Sequence, residues 1–172
     1  MSDRYVICDR NRLTGILDEF DLSADEFMPE ITESAYADNG DRLIGLITSL
    51  RSKGFKIEMD DFGSGYSSLN MLTSIPIDVL KMDMKFVRNM LRDEKSRLLV
   101  GLVIDIASFL KIPVVAEGVE EQEQLDALKD MGCEIVQGYY FSAPVPPGRF
   151  AELIEKEIKE RTDKGVAAYD NN

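Results

Sequence analysis

One stretch of the sequence decides how the rest is interpreted: Ile57-Glu58-Met59-Asp60-Asp61-Phe62-Gly63-Ser64-Gly65-Tyr66-Ser67-Ser68-Leu69. Its pattern predicts a short apolar strand that ends in two adjacent carboxylates and then breaks into a Gly-Ser-Gly turn. Carboxylates placed side by side repel each other unless a cation or a shared proton offsets their charge. A divalent metal site is one interpretation of Asp60 and Asp61. The other is that both cap the turn, a common use of Asp before Gly.

Strands and helices alternate on both sides of this stretch. Apolar runs predict further strands over 27–33, 79–83, 112–118 and 135–138, and a strand remnant over 5–8. Helical spacing predicts helices over 13–20, from 38–41 to 53, from 69 to a stop at Pro76, over 99–110, over 120–131 and from Pro147 onward. The helix over 99–110 carries Leu99, Leu102, Val103, Ile106 and Leu110 on one face. The alternation indicates an α/β fold with about five parallel strands and crossover helices.

Composition narrows the function. The 172 residues suit one domain over 1–172, and we expect a polar, disordered tail over 163–172. A net charge of -12 argues against non-specific binding to nucleic acid or to an anionic membrane. The chain has no histidine, so any metal or acid-base chemistry must use carboxylates, lysine or amide oxygens, which suit Mg²⁺, Mn²⁺ or Ca²⁺. Two distant cysteines, no span long enough for a bilayer and no signal peptide predict a cytoplasmic protein.

Each predicted strand ends in a polar side chain, and the carboxyl ends of parallel strands are where α/β folds place active sites. The residues concerned are Glu30 with Glu33, Asp60 with Asp61, Lys81 with Asp83, Glu117, and Gln137. Taken singly, each has a structural alternative: Lys81 could pair with a neighbouring carboxylate, Glu117 could cap a helix, and Gln137 could satisfy a loop. Carboxylates that converge on one lysine favour a two-metal or metal-plus-lysine hydrolytic centre.

Five motifs, in this order along the chain, resemble the EAL-domain cyclic di-GMP phosphodiesterases: Glu30-Ile31-Thr32-Glu33, Asp60 to Leu69, Leu80-Lys81-Met82-Asp83, Val115-Ala116-Glu117-Gly118-Val119-Glu120 and Gln137-Gly138-Tyr139-Tyr140-Phe141-Ser142-Ala143-Pro144. The resemblance implies a modified TIM barrel that opens cyclic di-GMP to linear pGpG with Mg or Mn in bacterial signalling. It further implies that Glu30, Asp60 and Asp61 are metal ligands, that Lys81 orients the attacking water or steadies phosphate charge, and that Glu117 is the general base. Glu33 would anchor the Gly63 loop, and Glu120 and Gln137 would support the site.

The resemblance begins after the family's Glu-Ala-Leu strand and its asparagine-bearing strand, which together supply two metal ligands. We therefore expect a truncated, partial barrel of about five strands out of eight, with impaired activity in the isolated chain. An open sheet exposes its edges, so we also expect a homodimer or a partner chain that completes the barrel. Three interpretations remain open: an enzyme completed by another chain, a truncated module that retains weak ligand binding without turnover, and a metal-free scaffold. We favour the second for the isolated chain.

Overall fold

A computed structural model of the chain describes residues 10–63 and 69–163. The described residues fall into two compact units that divide after Tyr140. The first unit contains all the strands described below and helices α1 to α6. The second contains helix α7, Pro147–Asp163. The predicted strand remnant over 5–8 and the tail after Asp163 lie outside the described residues.

Five parallel strands form one sheet whose order follows the sequence, as predicted. They are β1 (Glu30–Thr32), β2 (Glu58–Phe62), β3 (Val79–Met82), β4 (Val114–Glu117) and β5 (Ile135–Gln137). The helices of the first unit are α1 (Arg10–Phe20), α2 (Glu33–Arg51), α3 (Leu69–Ser74), α4 (Met84–Asn89), α5 (Glu94–Phe109) and α6 (Gln122–Asp130), with a 3-10 turn over Ala24–Glu26. Because sequential parallel strands connect by right-handed crossovers, the connecting helices lie on one face of the sheet.

The two faces of the sheet differ in chemistry because successive strand residues point to opposite sides. The helix-covered face carries buried apolar residues, among them Met59, Leu80, Met82 and Ala116. These pack with helix residues such as Ile47 and Ile104 in the main core. The opposite face, called here the open face, carries Glu30, Thr32, Glu58, Asp60, Val79, Lys81, Val115, Glu117, Ile135 and Gln137. The sheet therefore has one face that supplies stability and one that presents polar groups at its carboxyl end.

The predicted start of α2 is wrong: the helix begins at Glu33 rather than at 38–41. Thr32 adopts the extended conformation of an N-cap residue, and Glu33 places an acidic side chain in the first turn, where the helix dipole favours it. Gly40 lies inside the helix, which the buried residues Ile47 and Leu50 hold against the core. Tertiary packing therefore overrides the local signal of a helix start.

The predicted strand over 27–33 is shorter in the structure, because β1 covers only Glu30–Thr32. Pro29 has no amide hydrogen to donate to a ladder, and it lies just before the strand, where its carbonyl accepts a hydrogen bond from the amide of Glu58 at 3.0 Å.

Helix α4 is missing from the helices that the sequence predicts. It forms after β3 because the Asp83 carboxylate caps its first turn by accepting from the Lys85 amide at 2.7 Å.

The apolar face predicted for the helix over 99–110 is only partly buried. In α5, Val100, Ile104 and Ala107 are buried, whereas Leu99 and Leu102 are about half exposed. Val103, Ile106 and Leu110 are partly buried against the core. From Leu98 to Phe109 this helix is apolar except at Gly101, Asp105 and Ser108, so spacing alone fits more than one stripe. Contact with β4 selects the stripe that is buried. Across the described ranges, no helix has the length and apolar character needed to cross a bilayer.

Candidate active site at the carboxyl end of the sheet

The ammonium group of Lys81 is the centre of the site. Its Nζ lies 2.8 Å from Glu30 Oε1, 2.9 Å from Glu117 Oε1 and 3.1 Å from Asp60 Oδ1. These residues come from β1, β2, β3 and β4, so four neighbouring strands each contribute one charged group. The Lys81 side chain is 13% exposed, and that of Glu117 is 17% exposed. The sequence prediction that carboxylates converge on one lysine is therefore confirmed for Glu30, Asp60 and Glu117.

A β-bulge explains how two consecutive aspartates both belong to this end of β2. Met59 pairs with Leu80 and Phe62 pairs with Met82, so Asp60 and Asp61 together stand opposite Lys81 alone. Asp61 has a left-handed backbone with φ of 57°, a conformation that Asp adopts more readily than most residues. Strict alternation would place Asp61 on the helix-covered face. The extra residue breaks that alternation, so Phe62 takes this position and Asp61 does not.

The carboxylates around Lys81 strongly shift its pKa. Burial by itself lowers the pKa of Lys81, but hydrogen bonds to Glu30, Glu117 and Asp60 outweigh burial and raise the pKa well above its ordinary value of 10.5. Desolvation raises the pKa of Asp61, and the negative charges of Asp60 and Asp83 raise it further. Lys81 is therefore a permanent cation at neutral pH, and the carboxylates beside it form a strongly acidic environment.

Glu33 holds the turn that follows β2. Its side chain is 5% exposed, and Oε2 accepts a hydrogen bond from the Gly63 amide at 3.0 Å. Gly63 has φ of +98°, and a Cβ at this position would lie 2.3 Å from the Phe86 ring. Only glycine satisfies both conditions, because a left-handed backbone strains other residues and no space exists for a side chain. Ser64 to Ser68, the remainder of the predicted turn, lie outside the described residues.

The remaining predicted site residues make contacts of their own. Asp83 is buried and caps α4. Glu120 accepts from Arg88 at 2.6 Å, and its amide donates to Gln124 at 2.7 Å. Gln137 is exposed and pairs in register with Glu117 at the end of β5. Gln137 thus lies beside the Lys81 cluster, whereas the contacts of Asp83 and Glu120 connect helices and loops around it.

Sequence reasoning missed Glu58. It lies two residues before Asp60 on the same face of β2, in register with Glu30 on one side and Val79 on the other. The charges of Lys81, Glu30, Asp60 and Glu117 all act on it. Desolvation raises the pKa of Glu58, which Lys81 opposes and the three carboxylates reinforce. Strand alternation from Asp60 could have identified it, because residues i and i+2 share one face.

The donor set suits a hard divalent cation. Oxygens of Glu30, Asp60 and Glu117 reach within 3.1 Å of one point, and carboxylates are the ligands that Mg²⁺ and Mn²⁺ prefer. The point they share holds the Lys81 ammonium, which offsets their repulsion. Among the described residues, accordingly, no three acidic, His or Cys side chains stand ready as a cation cage. The residues fit a cation by chemistry, and binding it requires the carboxylates to turn from Lys81.

Comparison with known proteins identifies the same part of the chain. The model of the EAL domain family matches residues 10–144. Cyclic di-GMP phosphodiesterase NbdA of Pseudomonas aeruginosa is 39% identical over 138 residues, which are 80% of this chain and 18% of NbdA. Cyclic di-GMP phosphodiesterase RocR of the same organism is 37% identical over 140 residues, 81% of this chain and 36% of RocR. The chain thus spans about a fifth to a third of the length of these relatives.

Solved structures agree on the fold. The EAL domain of Mycobacterium smegmatis DcpA superposes with a TM-score of 0.80 at 33% identity, over 88% of this chain and 69% of that one. The EAL enzyme Bd1971, in its cGMP-bound form, gives a TM-score of 0.80 at 39% identity, over 84% and 38% of the two chains. A manganese and cyclic di-GMP complex of Klebsiella pneumoniae BlrP1 gives 0.74 at 32% identity, over 80% and 36%.

Proposed function

Because the chain belongs to the EAL domain family, we propose that its site hydrolyses cyclic di-GMP to linear pGpG with Mg²⁺ or Mn²⁺. The observation that carries this proposal is the convergence of three carboxylates on Lys81 at the carboxyl end of a parallel sheet. Relatives named as cyclic di-GMP phosphodiesterases support the substrate. A relative solved with manganese and cyclic di-GMP supports the cation.

Glu30, Asp60 and Asp61 are the residues that would hold the cation. Glu30 begins β1, Asp60 and Asp61 lie near the carboxyl end of β2, and the bulge sets both aspartates opposite Lys81. A divalent cation held there supplies positive charge that offsets the phosphate and promotes loss of a proton from water. An acidic chain with a net charge of -12 needs such a cation before a phosphodiester can approach.

Glu117 and Lys81 perform the proton and charge steps of the proposed reaction. Water attacks phosphorus, the bond from phosphorus to the 3′ oxygen breaks, and the product keeps a 5′ phosphate and gains a 3′ hydroxyl. Glu117 takes the proton from the attacking water, the usual task of a carboxylate base, and the departing 3′ oxygen takes up a proton from solvent to become the hydroxyl. Lys81, which stays charged at neutral pH, donates hydrogen bonds to the water or to the phosphate oxygens where negative charge develops.

The other predicted residues support this centre in the proposal. Glu33 fixes the turn after β2 through the Gly63 amide. Gln137 lies next to Glu117 across β4 and β5 and faces the substrate side. Asp83 and Glu120 act indirectly. Asp83 holds α4 through the Lys85 amide, and Glu120 holds the loop after β4 through Arg88. We assign the whole to bacterial cyclic dinucleotide signalling in the cytoplasm.

The isolated chain is expected to turn over slowly because its sheet is open at β1. Glu30 stands on this edge with half of its side chain exposed, and the described residues place a neighbouring strand only on its β2 side. A cation ligand on an uncovered edge is weakly fixed, and loosely supported ligands lose affinity. Strands from a second copy or another chain that cover β1 would complete the barrel and the cation site.

The experiment is hydrolysis of cyclic di-GMP by the purified chain with Mn²⁺, followed as pGpG by chromatography. The proposal predicts metal-dependent binding of cyclic di-GMP with turnover well below the roughly 1 per second or more of typical enzymes. It also predicts self-association in light scattering at tens of micromolar. A second candidate, a binding module without catalysis, is favoured by the Lys81 ammonium standing where the carboxylates meet. Binding with no detectable pGpG identifies that candidate, and absence of binding refutes both.

A further inference from the structure

A fourth carboxylate lies on the open face beside the predicted cation ligands. Glu58 faces the same side of β2 as Asp60, and its Cα pairs in register with that of Glu30 on β1. Its neighbour on the other side is Val79 of β3. Farther along the same face, Val115 and Ile135 face each other across β4 and β5. Glu58 therefore lies on the open face between Glu30 and Val79, one strand-face position before Asp60.

Glu58 interacts with the cluster through charge. Lys81 attracts it, whereas Glu30, Asp60 and Glu117 repel it. The side chain is partly buried, where an uncompensated carboxylate is costly. With Glu58, the open face carries four carboxylates and one lysine, and the cluster keeps a surplus of negative charge after Lys81 is counted.

We infer that Glu58 strengthens divalent cation binding at the Glu30 and Asp60 site by its charge, without being a ligand itself. This inference rests on the proposed function, because it concerns the same cation. A divalent cation held by these carboxylates would add a second positive group beside the Lys81 ammonium. The negative charge of Glu58 would offset part of the repulsion between the two positive groups. It is therefore a positioning residue that acts through the electrostatics of Lys81 and the cation.

The test is Mn²⁺ binding by calorimetry with variants of the full chain. Glu58→Gln keeps the shape and removes the charge, so we expect roughly tenfold weaker Mn²⁺ binding at low ionic strength. The difference should shrink in about 1 M salt, where the screening length falls to about 3 Å. Glu58→Asp keeps the charge and should bind Mn²⁺ nearly as well as the unmodified chain. Glu134→Gln, which removes an exposed carboxylate before β5, is the matched control and should change nothing.

Three results would overturn the inference alone. The first is an unmodified chain that binds Mn²⁺ together with a Glu58→Gln variant that binds it equally well. The second is a loss of affinity in Glu58→Asp as large as that in Glu58→Gln. The third is a loss of affinity in Glu58→Gln that salt does not reduce. The second and third results would indicate an effect of packing rather than of charge. An unmodified chain that binds no Mn²⁺ would overturn this inference and the cation part of the proposed function together.

Discussion

Replacing Lys81 by Met tests what holds the open face together. Methionine keeps most of the aliphatic stem and removes the ammonium that Glu30, Asp60 and Glu117 share. Loss of one partner from a buried ion pair costs about 3–5 kcal/mol, because the other charge stays buried and unpaired. Here the Glu30 side chain is about half exposed, so water screens its interaction with Lys81. We therefore expect the free energy of unfolding at pH 7 to fall by about 2–4 kcal/mol.

The pH dependence of this loss has a definite sign. The pKa of Lys81 is raised in the folded chain above its ordinary value of 10.5. Its stabilising effect is therefore fully present below about pH 10.5 and is lost as the pH rises toward the higher folded pKa. Urea denaturation of both chains should show a constant difference between about pH 7 and pH 9, and a smaller one above pH 10.5.

Manganese separates a cation site from a structural ion pair. Mn²⁺ should restore stability to Lys81→Met, because a divalent cation replaces the missing positive charge among the carboxylates. The control is Arg51→Met, which removes a more exposed ion pair with Asp78 at 2.9 Å and should cost less than about 1 kcal/mol. A loss of stability in Lys81→Met no larger than that in Arg51→Met would refute a stabilising role for the Lys81 ammonium. A stability of Lys81→Met that Mn²⁺ leaves unchanged would refute a cation site among the carboxylates.

Three further outcomes follow from the site. Glu33→Ala leaves the Gly63 amide without its carboxylate acceptor, so we expect a loss of about 1–3 kcal/mol and faster hydrogen exchange at that amide; unchanged exchange would show that the contact is unimportant. Gly63→Ala should destabilise the chain more than Gly132→Ala in thermal melts, because both have a left-handed backbone but only Gly63 lies against a ring; equal losses would contradict this. Glu117→Gln should lower any pGpG formation roughly 10²–10⁴-fold while cyclic di-GMP still binds, and a variant with unaltered turnover would exclude Glu117 as the base.

Much of the fold follows from the sequence because parallel strands between crossover helices have strong local signatures. The five strands and the convergence of Glu30, Asp60 and Glu117 on Lys81 were predicted, since the carboxyl ends of parallel strands meet at one edge. Element boundaries were less predictable. The early start of α2 and the buried face of α5 depend on tertiary contacts that spacing does not reveal.

One feature of the site is beyond local pattern. The bulge that sets Asp60 and Asp61 opposite Lys81 appears only when the register of β2 and β3 is known. Glu58 is within reach of the pattern, because residues i and i+2 of a strand share one face, although a single carboxylate in an apolar run gives no periodic signal of its own. Register shows that it shares the open face with Glu30 and Asp60.

The measurement that tests the account most directly is calorimetric titration of Mn²⁺ into the unmodified chain and into Asp60→Asn. The amide keeps the shape of the side chain and removes the charge, so a ligand role for Asp60 predicts saturable binding to the unmodified chain and at least roughly tenfold weaker binding to the variant. Circular dichroism of the two chains should be the same. Equal Mn²⁺ affinity in both chains would contradict the account and would leave Asp60 as a turn residue that pairs with Lys81.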